Sequence, residues 1–235
     1  MTIDDSYFGR ARNEMRRFLP GRCGKVLEIG CGEGYFSAGI VGAEERWGIE
    51  PDSDAARAAR SHLDRVINAG FEEALAELPP NHFDTVVCND VIEHMPDHDR
   101  FLETIKTRMS PRGVLVGSIP NVRYYRNLFG LMLAKDWQYQ DAGILDRTHL
   151  RFFTKKSLRR TLLAHGFRID AMRGINGGLT RRAPLAGAIA FAAIVLSAGY
   201  FADIWHLQFA FRALIADPEP AGEANSGTAN RMVAC

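Results

Sequence analysis

Apolar and polar positions alternate in blocks along this chain. Residues 25–29 (KVLEI) and 82–89 (HFDTVVCN) read as buried strands, and shorter apolar runs at 46–49, 66–68 and 114–119 read as three more. Helical stretches separate them: 35–41, the alanine-rich 53–62 opened by Pro51-Asp52, and 99–109, followed by a turn at Pro111-Arg112-Gly113. Strand and helix in alternation predict parallel pairing with right-handed crossovers, an α/β sheet of Rossmann-like type. Later, Thr154 caps a basic helix over 155–165, Gly166 ends it, and a sixth strand starts over 167–172. Residues 206–214 (HLQFAFRAL) alternate as a seventh.

Three stretches depart from this rhythm. Residues 4–19 carry Tyr7, Phe8, Met15, Phe18 and Leu19 at loose helical spacing before Pro20-Gly21, a leading helix that either covers a site or packs on the sheet. Residues 122–154 form an insertion rich in aromatics and arginines, helical over 124–134 and an ordered loop over 137–154. Residues 183–202 carry no charge, and from Asp217 onward the pattern fades into a tail expected to be disordered.

The chemistry starts at residues 26–34, VLEIGCGEG. Three glycines at alternate positions after a buried strand allow a sharp turn beside a ligand. A dinucleotide fingerprint needs its last glycine where Tyr35 stands, and Glu28 would oppose a pyrophosphate. An acid there suits a cation, and S-adenosylmethionine carries an ammonium and a sulfonium with no phosphate. A turn with no ligand is the structural alternative. The stretch resembles motif I of the class I S-adenosylmethionine-dependent methyltransferases, an acid followed by G-x-G-x-G. That resemblance implies a seven-stranded sheet whose last strand inserts antiparallel beside the fifth. It also implies a donor site at Glu28, Gly30, Cys31, Gly32 and Gly34.

Other positions extend the expected site. Glu50, at the tip of the second strand, is placed to accept hydrogen bonds from both ribose hydroxyls. Phe71 falls where the family holds the adenine ring, although Gly70 replaces the acid usual at the start of that turn. Asn89 and Asp90 end the fourth strand, whose HFDTVVCN also looks familial, and face the same crevice. Asp90-Val91-Ile92-Glu93-His94 resembles a run in ubiquinone-pathway O-methyltransferases. On a helix its Asp90, Glu93 and His94 share one face and can hold a divalent cation. Glu-His after the fourth strand also braces the crevice wall in metal-free relatives, and that reading is preferred, so no metal residue is assigned.

The insertion contains D-R-T-H-L-R-F-F-T (residues 146–154), which resembles a subfamily associated with bacterial sugar and cell-surface glycan pathways. Inserts after the fifth strand lie over the donor pocket, so it is expected to be a substrate lid. A sulfonium is already electrophilic, so the protein's tasks are alignment and, for a hydroxyl acceptor, removal of a proton. His149 is the expected base, with substrate hydrogen-bonder and structural brace as alternatives, and Asp146 is near enough in sequence to orient it. Tyr124, Tyr125, Asp146, Arg147 and Arg151 are expected to bind substrate, the arginines by gripping a phosphate or carboxylate. Either arginine equally pairs with Asp141 or Asp146 within the loop.

Composition narrows the setting. Lys and Arg total 29 against 28 Asp and Glu, so a net charge of +1 gives no global attraction to nucleic acid. Hydrophobic residues make up 46%, enough for a full core. Cys23, Cys31, Cys88 and Cys235 lie far apart, the usage of a reducing compartment, and the polar start is unlike a signal peptide; a cytoplasmic location is expected. Residues 183–202 just reach the length of a membrane span, but alanine dominates them and the seventh strand must return to its sheet. They are expected to form a buried or partner-facing helix, serving a homo-oligomer, or a peripheral contact with the inner face of a membrane. The expectation is thus one methyltransferase domain over 1–215 with a tail over 216–235, using S-adenosylmethionine to O-methylate a sugar or glycan-linked acceptor. A phenolic or quinone-like acceptor is the alternative enzyme reading, and a non-catalytic nucleotide-binding partner subunit is the other.

Overall fold

A computed structural model describes residues 12–179 and 184–216. Its strands are β1 (Gly24–Ile29), β2 (Ala43–Ile49), β3 (Arg65–Ile67), β4 (Phe83–Asn89), β5 (Met109–Pro120), β6 (Phe167–Ile175) and β7 (Gln208–Ile215). They lie in one sheet in the order β3-β2-β1-β4-β5-β7-β6. The first five pair in parallel, and β7 runs antiparallel between β5 and β6, as expected.

Strand side chains alternate between two faces, and each face feeds its own core. Leu27, Ile29, Val86, Cys88 and Leu115 point to one cluster; Val26, Val87, Val114 and Val116 point to the other. The first is closed by α3 (Phe71–Ala74), α4 (His98–Lys106) and α6 (Lys155–Ala164) through residues such as Phe71, Phe101 and Leu158, while α2 (Ser53–Ala59) sets Ala59 against Cys31 and Leu63 in a small cluster of its own. The second takes Phe36 from α1 (Tyr35–Ala38) and Met15 and Phe18 from a leading 3₁₀ turn, Asn13–Phe18. Asp52 caps α2 by accepting from the amides of Asp54 and Ala55, and Thr154 caps α6 by accepting from Ser157.

Several boundaries differ from the sequence reading. The first crossover helix is a single turn, closed at Gly39 rather than extending to Val41. Pro111-Arg112-Gly113 is no free turn: it lies inside β5, where the register against β4 shifts. β2 starts at Ala43 because residues 43–45 also pair with β1. Only the second half of the expected leading helix is described, and residues 217–235 lie outside the described residues.

The insertion after β5 starts with α5 (Tyr125–Phe129) and a π-helical turn, Gly130–Ala134, followed by the loop to Thr154. The apolar segment forms α7 (Pro184–Leu196) and stops there, because Ala198 and Gly199 take left-handed backbone angles before a 3₁₀ turn, Ala202–Trp205. Within α7 only Gly187 and Ala190 are buried, against Tyr125 and Ile204. No helix among the described residues is long and apolar enough to cross a membrane.

Candidate active site

The carboxyl ends of β1, β2 and β4 open onto one cavity of about 420 Å³. Gly30 follows β1 with φ 67°, and a Cβ there would crowd Val91, so the loop passes close under the post-β4 turn only as glycine. Around the cavity stand Glu28 from β1, Gly30, Cys31 and Gly32 from the loop, Glu50 just past β2, Phe71 from α3, Asn89 at the end of β4 and Asp90 just past it. Gly34 is not among its lining residues. Its Cα faces Leu63 and Ala59, so it serves the packing of the loop on α2.

Two acids give the cavity its character. Glu50 Oε2 accepts from the Gly32 amide at 2.8 Å, and Oε1 accepts from the Asp52 amide at 2.9 Å. Each oxygen keeps a lone pair for a hydroxyl. Glu28 accepts from the Ser37 amide at 3.2 Å, and burial pushes its carboxyl up to about 7. Burial likewise raises the Glu50 carboxyl. A cationic ligand would relieve both. The side-chain amide of Asn89 is buried with neither its nitrogen nor its oxygen hydrogen-bonded, an unmet demand at the cavity wall.

Arg12, missed by the sequence reading, also lines the cavity. Its Nη1 donates to Asp90 at 2.7 Å and its Nη2 to Ser118 Oγ at 2.9 Å. Asp90 further accepts from Ser118 Oγ and from Gln208 of β7. One acid thus ties together the leading segment, β5 and β7 while sitting at φ 55°, rare for a residue with a side chain. No local pattern foretells this: Arg12 and Asp90 meet only through the folded sheet.

The acid-imidazole run is not arranged as helical spacing implied. Residues Ile92–His94 form a 3₁₀ turn, and Asp90 lies before it, occupied by Arg12. Glu93 and His94 instead converge with His149 of the lid, with one ligand-type atom from each within 4.8 Å of the others. His94 lines the cavity, and burial, then the nearby His149, lowers its imidazole's proton affinity. Glu93 is 1% exposed, and burial, then Asp90, drives its carboxyl well above the ordinary range.

His149 stands behind His94, rings 4.7 Å apart, and lines neither this cavity nor a second one under the lid. Its Nδ1 is held at 2.9 Å from the Ile144 carbonyl. Asp146 does not orient it through its side chain: that carboxylate accepts from the Thr148 hydroxyl at 2.6 Å, and Thr148 Oγ1 in turn lies 3.1 Å from His94 Nδ1. Among the expected substrate residues, Tyr124 lines the second cavity, whereas Tyr125 is fully buried and stacks on Trp205. Arg147 pairs with Asp141 at 2.8 Å within the loop, and Arg151 donates to the carbonyls of Leu150 and Pro96. The lid is fastened by its backbone: the amides of Leu150 and Arg151 both donate to the Glu93 carbonyl, and Phe153 enters the core.

This strand order, with its reversed seventh strand and an acid-flanked glycine loop at the sheet's carboxyl edge, defines the class I S-adenosylmethionine-dependent methyltransferases. The chain belongs to the family described as "Methyltransferase domain", which matches residues 5–171. It is 32% identical over 160 residues to a ubiquinone biosynthesis O-methyltransferase of Paraburkholderia phymatum, covering 64% of this chain and 67% of that one. A protein of the same description from Cupriavidus pinatubonensis is 32% identical over 161 residues, covering 64% and 63%. A solved S-adenosylmethionine-dependent methyltransferase of Archaeoglobus fulgidus superposes with a TM-score of 0.62 at 20% identity, over 89% of this chain and 96% of that one, a likeness of fold. S-adenosylmethionine is the methyl donor, and the residues present fit it: two buried acids for a cation without phosphate, and an unsatisfied Asn89 amide.

Proposed function

We propose that this methyltransferase acts on the hydroxyl of a phenolic or quinone-like small molecule. The observation that carries this reading is the similarity, at 32% identity over 160 residues, to proteins described as ubiquinone biosynthesis O-methyltransferases. The lid resemblance implies a sugar or glycan-linked hydroxyl instead, but the two relatives named above carry the ubiquinone biosynthesis description.

The donor, when bound, supplies an electrophilic methyl group, and the chain's residues do the rest. Glu50 takes the ribose hydroxyls, Glu28 offers negative charge beneath the glycine loop, and Arg12 and Asn89 stand at the wall for the donor's amino-acid end. Phe71, held edge-on to Phe101 with centroids 4.6 Å apart, offers an apolar wall for the adenine. The acceptor must lose one proton, and a phenol, titrating near pH 10 like tyrosine, gives it up far more readily than an alcohol. Where the cavity meets the lid, the Glu93, His94 and His149 cluster is the place at which that proton or the resulting charge is handled.

We also propose, for the apolar exterior of α7, contact with the inner face of a membrane, where an acceptor with an apolar tail would reside. Phe191, Val195 and Leu196 are exposed there, with Met132 and Leu133 exposed on the π-helical turn after α5, the helix on which α7 packs. The test of function is methyl transfer from S-adenosylmethionine to a panel of catechols and hydroxylated quinols against a panel of free and nucleotide-linked sugars. Product from the phenolic panel alone is the expected result. Product from the sugars alone would reverse the assignment of acceptor.

A further inference from the structure

The arginine of the donor cavity is aimed by residues that lie outside the cavity. Arg12 commits three of its five N–H groups: Nε to Glu14 at 2.9 Å, one on Nη1 to Asp90 Oδ2 at 2.7 Å and one on Nη2 to Ser118 Oγ at 2.9 Å. The second N–H on each Nη has no partner among the described residues, and Arg12 lines the cavity. Asp90 is held in its turn. Ser118 Oγ donates to its Oδ1 at 2.7 Å, Gln208 Nε2 donates to its Oδ2 at 2.5 Å, and its own amide donates to the Ser118 carbonyl at 3.0 Å. A carboxylate only accepts, so the Gln208 amide turns its nitrogen to Asp90 and its oxygen away, where Oε1 accepts from Asn176 Nδ2 at 2.6 Å. Ser118 is fully buried in β5, and Gln208 is fixed in β7 between Pro120 of β5 and Ile175 of β6. Two paired strands thus set where a side chain of the leading segment points.

We infer that Gln208 and Ser118, neither of which lines the cavity, are positioning residues that act through Asp90 and Arg12 on recognition of the donor's α-carboxylate, given that Arg12 meets the donor's amino-acid end as proposed. Without their hydrogen bonds Asp90 draws Arg12 to itself and turns a bare carboxylate toward the donor's own, and like charges this close repel. Each hydrogen that Gln208 and Ser118 supply takes up part of the Asp90 charge, which leaves Arg12 its free N–H pair and its charge for a second anion. A ligand without the amino-acid end ignores this network, whereas a defect of packing weakens every ligand alike.

The test is calorimetric titration of the full chain with S-adenosylhomocysteine, which keeps the amino-acid end, and with 5′-methylthioadenosine, which lacks it. Wild type is expected to prefer the first by about tenfold or more, and Arg12→Ala to abolish most of that preference. Gln208→Leu is expected to lower the preference about fivefold or more, with affinity for 5′-methylthioadenosine held within about twofold, and to change it less than about twofold when added to Arg12→Ala. A preference unchanged in Gln208→Leu but lost in Arg12→Ala would overturn the roles of Gln208 and Ser118 alone. A preference unchanged in Arg12→Ala would overturn the placement of Arg12 and the network with it. Equal losses for both ligands in Gln208→Leu, or a loss of preference as large without Arg12 as with it, would also overturn the inference. Should Gln208→Leu fail to fold, Ser118→Ala, which removes one hydroxyl and adds nothing, is judged by the same ratio.

Discussion

Glu28 shows how a single residue links the donor site to stability. Its folded-state value of about 7 lies above the ordinary 4.5, so as pH rises the unfolded chain gives up this proton first. The stability contributed by the protonated form is fully present below about pH 4.5 and is lost as pH climbs through about 7, a swing of roughly 3 kcal/mol. Glu28→Gln keeps an acceptor for the Ser37 amide and removes the titration. Calorimetry should find this variant melting above wild type at about pH 8, with the gap closing toward about pH 5. A gap independent of pH would mean that the buried carboxyl is not what titrates. At this scale the glycine loop, Glu28 and Glu50 were legible, because a strand, a turn and an acid at the next strand's tip are local patterns. Arg12 was not, since its partner Asp90 lies on another strand and nothing in the chain near Arg12 marks the pairing.

At the level of elements, alternation in residues 206–214 marked β7 as a strand, and the family resemblance supplied its reversed place beside β5. The run after β4 misled for a physical reason. Read as an α-helix, Asp90, Glu93 and His94 share a face. In the fold, the Asp90 amide still bonds to the Ser118 carbonyl of β5, its backbone turns left-handed, and only then does a 3₁₀ turn start. His149 could not be joined to Glu93 from the sequence, since the lid's path over the sheet is set by long-range backbone bonds to Glu93 and by the burial of Phe153. The apolar segment proved shorter as a helix than its composition implied, and its outer surface is its informative part. Phe191 is 58% exposed and Leu196 87% exposed. Phe191→Ser should leave the melting temperature within experimental error and lower co-sedimentation with vesicles containing anionic lipid by about threefold or more, the loss of one anchoring aromatic. Unchanged sedimentation, or none by wild type, would remove the membrane from the account and leave a partner protein for this face.

For the whole molecule, the sheet gathers four dispersed segments at one edge: the leading segment, the glycine loop, the β4 turn and the lid. At the same edge two buried acids, Glu28 and Glu50, and the unpaired amide of Asn89 are each costly alone, and a cationic donor would relieve the acids. The most direct measurement is calorimetric titration of wild type and Glu50→Ala with S-adenosylmethionine, using NAD as the control. Wild type should bind with a dissociation constant of about 1–100 μM, Glu50→Ala should lose about 10–100-fold with the ribose hydrogen bonds, and NAD should give no heat. Equal affinity in the variant, binding of NAD in place of S-adenosylmethionine, or no binding of S-adenosylmethionine at about millimolar concentration would contradict the donor site described here.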